Sequence, residues 1–131
     1  MSTNPKARAW VQVRADALRD NYARVRDHVG LGTGVLPMVK ADAYGLGAED
    51  VVRALTPLDP WGFGVAAVSE GVRLRALGFE GRILVCSPVP PEDVGEAVRS
   101  SLQLSISSVD ALRHLGQTAR SAGRIAEYHV D

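Results

Sequence analysis

The sequence predicts an α/β protein built on a parallel sheet. Short apolar runs recur roughly every 20 to 27 residues, and a helical pattern fills the interval between successive runs. This alternation is the signature of βα units, in which each helix returns the chain so that the next strand runs parallel to the last. The 131 residues suffice for one domain with a core but are short for two.

The first part of the chain predicts one strand and one helix. Residues 10–13 alternate apolar and polar side chains, as in a short strand with one buried face. Asp16 is a candidate helix cap, and apolar side chains follow at helical spacing as far as Val29. The glycine-rich residues 30–34 end this helix. They follow a helix and precede a strand, the reverse of the order in nucleotide-binding loops, so they are interpreted as a connection.

The rest of the chain predicts strands and helices in alternation. The predicted strands are 35–39, 62–66, 83–86, 103–106 and 126–131. The helices between them begin at Ala48, at Ser69 as a cap, at the pair Pro90-Pro91, and at Ser107, which forms a box-like pair with Asp110. Pro37 cannot donate to a ladder, so pairing of the first of these strands is expected to begin after Pro37 or to skip there.

The strand at 35–39 ends on Lys40, and this is the most informative point in the sequence. Active sites gather at the carboxyl ends of strands in α/β proteins. An amine with an apolar strand behind it is partly desolvated, which favours the neutral form that attacks a carbonyl. Lys40 is therefore a candidate Schiff-base former. From its position alone, a solvated lysine at the strand end is the commoner interpretation.

Residues that could hold a phosphate follow Lys40. Tyr44 offers a phenol, and Gly45 and Gly47 leave the backbone bare just before a helix begins, which suits a phosphate. Taken singly, these would be a rim tyrosine and ordinary turn glycines. Together with the lysine they would suit a cofactor with an aldehyde and a phosphate arm, of which pyridoxal phosphate is the common one.

The nine residues Val39-Lys40-Ala41-Asp42-Ala43-Tyr44-Gly45-Leu46-Gly47 resemble the cofactor-attachment signature of alanine racemases, fold-type III pyridoxal-phosphate enzymes that interconvert L- and D-alanine. The resemblance implies that Lys40 carries pyridoxal 5'-phosphate as a Schiff base and is one of two catalytic bases. It implies that Tyr44 contacts the cofactor phosphate. The family usually has histidine where this chain has Leu46, so any hydrogen bond from that histidine is lost.

The resemblance also implies an incomplete (β/α)8 barrel of the TIM type. The chain would hold about the first half of the barrel, preceded by the short strand at 10–13. A full barrel takes about 250 residues, so residues 1–131 are interpreted as the N-terminal part of the pyridoxal-phosphate-binding barrel domain. The C-terminal β domain, to which the first strand belongs in the family, is absent. An open sheet exposes both edges, so we expect the 131 residues alone to be marginally stable or prone to aggregate.

The function implied is racemisation of alanine in the cytoplasm, which supplies D-alanine for peptidoglycan. Lys40 would serve the face of the D-enantiomer. In the family the opposite base is a tyrosine from the partner subunit of a homodimer, and an arginine pairs with the pyridine nitrogen; both lie beyond Asp131. The chain alone is therefore expected to be inactive. The alternatives are a broad-specificity or basic amino-acid racemase of the same fold, a non-catalytic pyridoxal-phosphate-binding barrel, and a scaffold without activity.

The composition argues against other classes of partner. Fifteen basic and fifteen acidic side chains balance to a net charge of zero, so nothing calls for nucleic acid or an anionic membrane. The polar N-terminus leads into no apolar run, so neither a signal peptide nor a membrane span is predicted. The single cysteine, Cys86, suits a reducing cytoplasm and is interpreted as a small buried core residue.

No metal site is predicted, because the three histidines show no ligand spacing. The terminal residues 128–131 resemble the strand that carries a carbamylated lysine in many racemases. In one register His129 takes the place of that lysine, and in the other Asp131 does. Neither register retains the lysine, and a structural strand residue is the default interpretation of His129.

Overall fold

A four-stranded parallel sheet forms the centre of the molecule. The structure is a computed structural model that describes residues 11–30 and 32–131. The strands lie in the order β1-β2-β3-β4, at Phe63–Val65, Ile83–Val85, Gln103–Ile106 and Tyr128–Val130. Each pairs in parallel with the next. Sequential parallel order is what repeated βα units produce, so the α/β prediction is confirmed, and the sheet is open rather than closed.

Five right-handed helices accompany the sheet in the described part of the chain. They are α1 at Ala15–Val29, α2 at Ala48–Leu55, α3 at Val68–Ala76, α4 at Pro91–Arg99 and α5 at Val109–Ser121, with a short 3-10 turn at Thr56–Leu58. Between β1 and β4, each strand is followed by one helix that leads to the next strand. None of these helices combines the length and apolar character that crossing a bilayer requires.

The core lies between the sheet and the helices. Phe63, Ile83 and Val85 are completely buried, and Leu104 is 1% exposed. Because side chains alternate along a strand, these residues share one face of the sheet. The opposite face, here called the inner face, carries Gly64, Leu84, Gln103 and Ser105. It also carries the residues two positions before or after these along the same strands.

The strand predicted at 35–39 is reduced to a single parallel bridge between Met38 and Gly64. The N–H of Val39 donates to the carbonyl of Gly64 at 2.8 Å, and the N–H of Gly64 donates to the carbonyl of Pro37 at 2.9 Å. Since Pro37 has no N–H of its own, the ladder cannot continue through it. The expectation that pairing begins after Pro37 is confirmed, and the predicted strand was too long.

The strand predicted at 10–13 is wrong over the residues described. Residues 11–13 belong to no strand, and Trp10 lies outside the described residues. The predicted cap of the following helix is also wrong. α1 begins at Ala15, and Asp16 lies in its first turn, where its carboxylate pairs with Arg14 at 2.7 Å. Gly30 ends α1 at a φ of 83°, as predicted.

The cap predicted at Ser69 is wrong by two positions. α3 begins at Val68, after Ala67, so Ser69 lies inside the first turn. The side chain that accepts from the backbone there is Glu70, whose Oε2 receives the N–H of Ala67 at 3.2 Å. A carboxylate at the third helical position can reach back in this way without help from a serine.

The cap predicted at Ser107 is wrong by one position. Ser108 is the capping residue of α5, and its Oγ accepts from the N–H of Ala111 at 3.1 Å. Asp110 forms no box with Ser107, because it pairs instead with Arg113 at 3.1 Å. Two adjacent serines offer the same local chemistry, so the pattern alone could not separate them.

Candidate functional site

Lys40 lies directly after the strand bridge, beside the carboxyl end of β1. The preceding residue, Val39, is 1% exposed and hydrogen-bonded to Gly64, so the backbone is anchored immediately before the lysine. The Lys40 side chain is half-buried. The sequence has two lysines, and Lys40 is the one within the described residues, since Lys6 lies outside them. The placement of Lys40 at a strand end agrees with the sequence analysis.

The five residues Lys40–Tyr44, here called the lysine turn, form a left-handed turn that the sequence did not predict. Ala41, Asp42 and Ala43 have φ values of 50° to 54°, and Tyr44 has a φ of 56°. The left-handed conformation costs a residue with a side chain about 1–2 kcal/mol, so four in succession cost on the order of 4–8 kcal/mol. The surrounding structure must offset this cost.

Backbone hydrogen bonds within the turn provide part of the compensation. The N–H of Ala43 donates to the carbonyl of Val39 at 2.9 Å, and the N–H of Gly45 donates to that of Ala41 at 3.1 Å. The N–H of Gly47 donates to the carbonyl of Asp42 at 2.9 Å. The methyl group of Ala43 is also 3% exposed, so the turn contributes to the core.

Glycines continue the turn where it joins α2. Gly45 and Gly47 have φ values of 82° and 89°, which glycine adopts without the steric cost that other residues meet. The side chain of Asp42 completes the junction, because its Oδ1 accepts from the N–H of Ala48 at 2.9 Å. Asp42 thereby caps the first turn of α2, a role that the sequence analysis did not assign.

The amides near Gly45 and Gly47, which were expected to be bare and to suit a phosphate, are not bare. The N–H groups of both glycines donate within the turn, and the N–H of Leu46 donates to the carbonyl of Ala43 at 3.1 Å. The first amide of α2, that of Ala48, is taken by Asp42. These four donors are occupied within the turn, and the contact of the Tyr44 phenol with a phosphate stays a prediction.

Tyr44 ends the left-handed turn that Lys40 begins. The structure therefore brings the two predicted site residues to opposite ends of one compact element. The side chain of Tyr44 is 65% exposed, and that of Leu46 is 41% exposed. The side chains of Tyr44 and Leu46 can therefore contact a bound molecule without displacement of core residues.

Glu70 is a residue of this region that the sequence analysis missed. Its Oε1 accepts from the N–H of Ala41, the residue after Lys40, at 2.6 Å. Its Oε2 accepts from the N–H of Ala66 at 2.8 Å, directly after β1. A signal existed: an acidic residue at the third position of a helix that follows a strand is placed to meet amides at that strand's end.

Cys86 is half-buried beside the strand bridge, so it is less buried than the small core residue that the sequence predicted. Its Sγ lies 3.9 Å from the Sδ of Met38, and a Cβ placed on Gly64 would clash with the Met38 sulfur. Burial raises the pKa of the Cys86 thiol, and the positive charge of Lys40 opposes this rise. The thiol and the lysine therefore lie close enough to interact electrostatically.

A second polar cluster lies on the inner face at the other edge of the sheet. Gln103 is 7% exposed; its Nε2 donates to the carboxylate of Glu127, and its Oε1 lies 3.2 Å from the Nε2 of His129. The ring of Trp61 meets the ring of His129 edge-on at 5.5 Å. His129, paired with Ser105 across the strands, is thus a hydrogen-bonded residue of the inner face.

No metal centre is found in the part of the chain that the structure describes. Residues 11–30 and 32–131 contain no group of three or more histidine, cysteine, aspartate or glutamate side chains arranged to hold an ion. The hydrogen bonds of Glu70, Asp42 and Glu127 instead engage backbone and side-chain donors.

The chain resembles known proteins over nearly all of its length. The family model described as "Alanine racemase, N-terminal domain" matches residues 13–131. An alanine racemase from Syntrophobacter fumaroxidans is 37% identical over 124 residues, which cover 95% of this chain and 33% of that protein. An alanine racemase from Mycolicibacterium vanbaalenii is 33% identical over 96% of this chain and 32% of its own length. The chain therefore spans about a third of the length of the curated relatives it matches.

Solved structures agree with the fold. Alanine racemase from Streptomyces coelicolor superposes with a TM-score of 0.81 at 32% identity, over 88% of this chain and 31% of that one. The Clostridium difficile enzyme, solved in complex with cycloserine, has a TM-score of 0.85 at 28% identity, over 88% of this chain and 31% of its own. With its open parallel sheet matching the N-terminal part of these TIM barrels and its lysine turn at a strand end, the chain belongs to the alanine racemase N-terminal domain family.

Proposed function

We propose that this chain is the lysine-bearing part of the barrel domain of an amino-acid racemase that interconverts L- and D-alanine with pyridoxal 5'-phosphate. The observation that carries the proposal is the position of Lys40. In a member of this family, a half-buried lysine stands at the end of a strand and begins a left-handed turn that ends on Tyr44. Strained backbone of this kind concentrates at functional sites.

Two side chains of the chain fit pyridoxal phosphate. The amine of Lys40 suits its aldehyde, and the exposed phenol of Tyr44 suits its phosphate. The backbone donors of the turn are engaged internally, so further phosphate contacts must come from other parts of a complete site. When bound, the cofactor withdraws electrons from the α-carbon of the amino acid, which makes the α-proton removable.

Lys40 would act as the base on one face of the substrate. Its Nζ takes the α-proton from the D-enantiomer, or returns a proton to form it, while a base on the opposite face does the converse. Inversion requires both bases, because one proton leaves one face as another arrives on the other. We propose that the opposite base comes from the partner subunit of a homodimer, in the longer proteins to which this chain is similar.

The amino acid and its use follow from the same family likeness. We propose alanine as the substrate, in the cytoplasm, with D-alanine supplied for peptidoglycan. The cycloserine in the structure of the Clostridium difficile relative supports a site for a small amino-acid-like molecule. A net charge of zero supports neither nucleic acid nor an anionic membrane as a partner.

A borohydride trap tests the role of Lys40 directly. The protein is mixed with pyridoxal phosphate, reduced and digested, and the pyridoxyl mass is located by mass spectrometry. Lys6 is the internal reference, because it is the second lysine of the chain. Labelling of Lys40 in excess of Lys6 by about tenfold or more would match a lysine that is placed to form a Schiff base. Equal labelling of the two lysines would contradict the proposal.

Racemisation is tested in a chimera in which residues 13–131 replace the matching segment of the Streptomyces coelicolor enzyme. Exchange of the α-proton of alanine in deuterated water is followed by NMR, with Lys40→Ala in the same chimera as the control. Exchange that Lys40→Ala abolishes supports the racemase. Faster exchange of arginine or lysine than of alanine would favour a basic amino-acid racemase. Cofactor labelling without any exchange would favour a non-catalytic binding protein.

A further inference from the structure

The carboxylate of Glu70 joins two neighbouring strand ends at the candidate site. Oε2 accepts from the N–H groups of Ala66 and Ala67, at 2.8 Å and 3.2 Å, where β1 passes into α3. Oε1 accepts from the N–H of Ala41 at 2.6 Å, although Ala41 lies 29 residues earlier in the chain. An ordinary helix cap would need the bond to Ala67 alone, so the bond to Ala41 calls for a separate explanation.

The amide that Glu70 holds is the one that directly follows Lys40. The N–H of Ala41 and the carbonyl of Lys40 belong to one planar peptide, so fixing that N–H fixes the rotation of the peptide that leaves the lysine. On the other side, the carbonyl of Val39 belongs to the peptide that enters Lys40, and it accepts from the N–H of Ala43 at 2.9 Å. The Cα of Lys40 is therefore held between two anchored peptides, one of them anchored by Glu70.

The same bond lies at the first left-handed residue of the lysine turn. Ala41 has a φ of 50°, a conformation that alanine adopts rarely without support. Asp42 supports the other end of the turn through Ala48. The two carboxylates thus stabilise the turn at its beginning and at its end, and Glu70 is the one adjacent to the lysine.

We propose that Glu70 is a positioning residue for Lys40: its bidentate carboxylate ties the Lys40–Ala41 peptide to the end of β1 and so sets the direction in which the amine leaves the backbone. This inference rests on the proposed function only for the chemical role of the positioned Lys40 amine. Glu70 itself contacts backbone amides and acts through them.

The bidentate arrangement makes glutamine a sharp test. In Glu70→Gln one of the two oxygens becomes an NH2 donor of nearly the same size. Whichever way the amide turns, that donor faces an N–H group, either that of Ala41 or those of Ala66 and Ala67. Glu70→Asp is the second variant, because it keeps the charge but shortens the side chain by one methylene, so it cannot span both sides.

Two measurements on the 131-residue chain follow the two parts of the inference. Amide hydrogen exchange by NMR reports the bond to Ala41. Competitive labelling reports how the Lys40 amine is positioned, as the ratio of labelling at Lys40 to labelling at Lys6. The ratio is measured once with pyridoxal phosphate and borohydride and once with an N-hydroxysuccinimide acetate. The second reagent does not resemble the cofactor, so it reads the lysine even if the proposed function fails.

The control is Ser108→Ala, which removes the cap of α5 far along the chain from Lys40. In Glu70→Gln we expect exchange at Ala41 to rise about tenfold, as for loss of one charge-assisted hydrogen bond, with native circular dichroism. We expect the pyridoxal ratio to fall and the acetylation ratio to rise, each by about threefold or more, as the half-buried amine is released. Ser108→Ala should leave all three values within about twofold.

Three results would overturn the inference. Unchanged exchange at Ala41 in both Glu70→Gln and Glu70→Asp would show that the bond does not hold that peptide. Faster exchange with an unchanged acetylation ratio would show that the lysine does not depend on it. Equal changes in Ser108→Ala would show a general effect of losing a cap. If Glu70→Gln does not fold, the same criteria apply to Glu70→Asp. A wild-type chain without pyridoxal labelling at Lys40 would contradict the proposed function, and exchange and acetylation would then decide this inference alone.

Discussion

Arg75, near the end of α3, is the basis of a prediction about stability. Its guanidinium donates to four backbone carbonyls, those of Phe79 and Gly81, both at 2.7 Å, and those of Ser100 and Ser101, at 3.0 Å and 2.9 Å. It therefore joins the loop that enters β2 to the loop that enters β3. Burial lowers the pKa of Arg75, and the carbonyl oxygens compensate the charge that has been removed from water.

The size of the effect follows from which of these bonds are shielded. The bonds to Phe79 and Ser100 are partly buried, whereas water can replace those to Gly81 and Ser101. A hydrogen bond to a charged group contributes about 1.5 kcal/mol at the low end, so Arg75→Met should cost about 3 kcal/mol. Arg75→Lys keeps the charge, but one nitrogen cannot span both loops, so about half of that loss is expected.

Urea unfolding followed by circular dichroism measures this loss. With a slope of about 2 kcal/mol per molar, the midpoint of Arg75→Met should fall by about 1.5 M. Arg73→Met is the matched control on the same helix, because Arg73 is exposed and lies 4.0 Å from Asp42; it should change stability by less than about 0.5 kcal/mol. Equal midpoints for Arg75→Met and Arg73→Met, or a wild-type midpoint for Arg75→Lys, would contradict the role assigned to Arg75.

Three further predictions concern the bridge, the thiol and the first helix. Gly64→Ala should lower stability by about 1–3 kcal/mol in urea unfolding, because the new Cβ would clash with the sulfur of Met38; a wild-type midpoint would contradict this. Lys40→Met should slow alkylation of Cys86 by iodoacetamide, because the lysine charge lowers a thiol pKa that burial raises, and an unchanged rate would count against the proximity. A hydrogen bond from Arg14 lowers the pKa of Asp16 to about 2. The contribution of this pair to folding stability is therefore present above the pKa that the carboxyl group has in the unfolded chain, and it is lost as the pH falls through about 2. A midpoint of about 4 in an NMR titration of the Asp16 carboxyl group would contradict this prediction.

Local sequence patterns determined most of the helices and strands. α2 begins at the predicted Ala48, β3 at Gln103–Ile106 has the predicted bounds, and α4 begins at a predicted proline. In each case the signal is contained within the element: apolar periodicity, or a proline whose fixed φ suits the first helical position. The strand at 35–39 was predicted too long, because its pairing depends on a partner strand and on Pro37 rather than on its own apolar character.

The candidate site likewise has features that local patterns predict and features that depend on residues distant in the chain. Local patterns predict that a lysine ends a strand and that Tyr44 and two glycines follow, and this run carries the resemblance to alanine racemases. It did not determine the role of Glu70, because a bond across 29 residues leaves no local pattern. It also misjudged the amides near Gly45 and Gly47, which the turn uses for its own hydrogen bonds.

The left-handed course of the lysine turn depends on contacts that form when the chain folds. The residues from Ala41 to Tyr44 include no glycine, so their intrinsic preferences oppose the conformation that they adopt. Burial of Ala43 and the carboxylates of Asp42 and Glu70 overcome these preferences, and Glu70 comes from a neighbouring βα unit. A local preference of one or two kcal/mol per residue is outweighed where several such contacts converge, and only the folded chain brings them together.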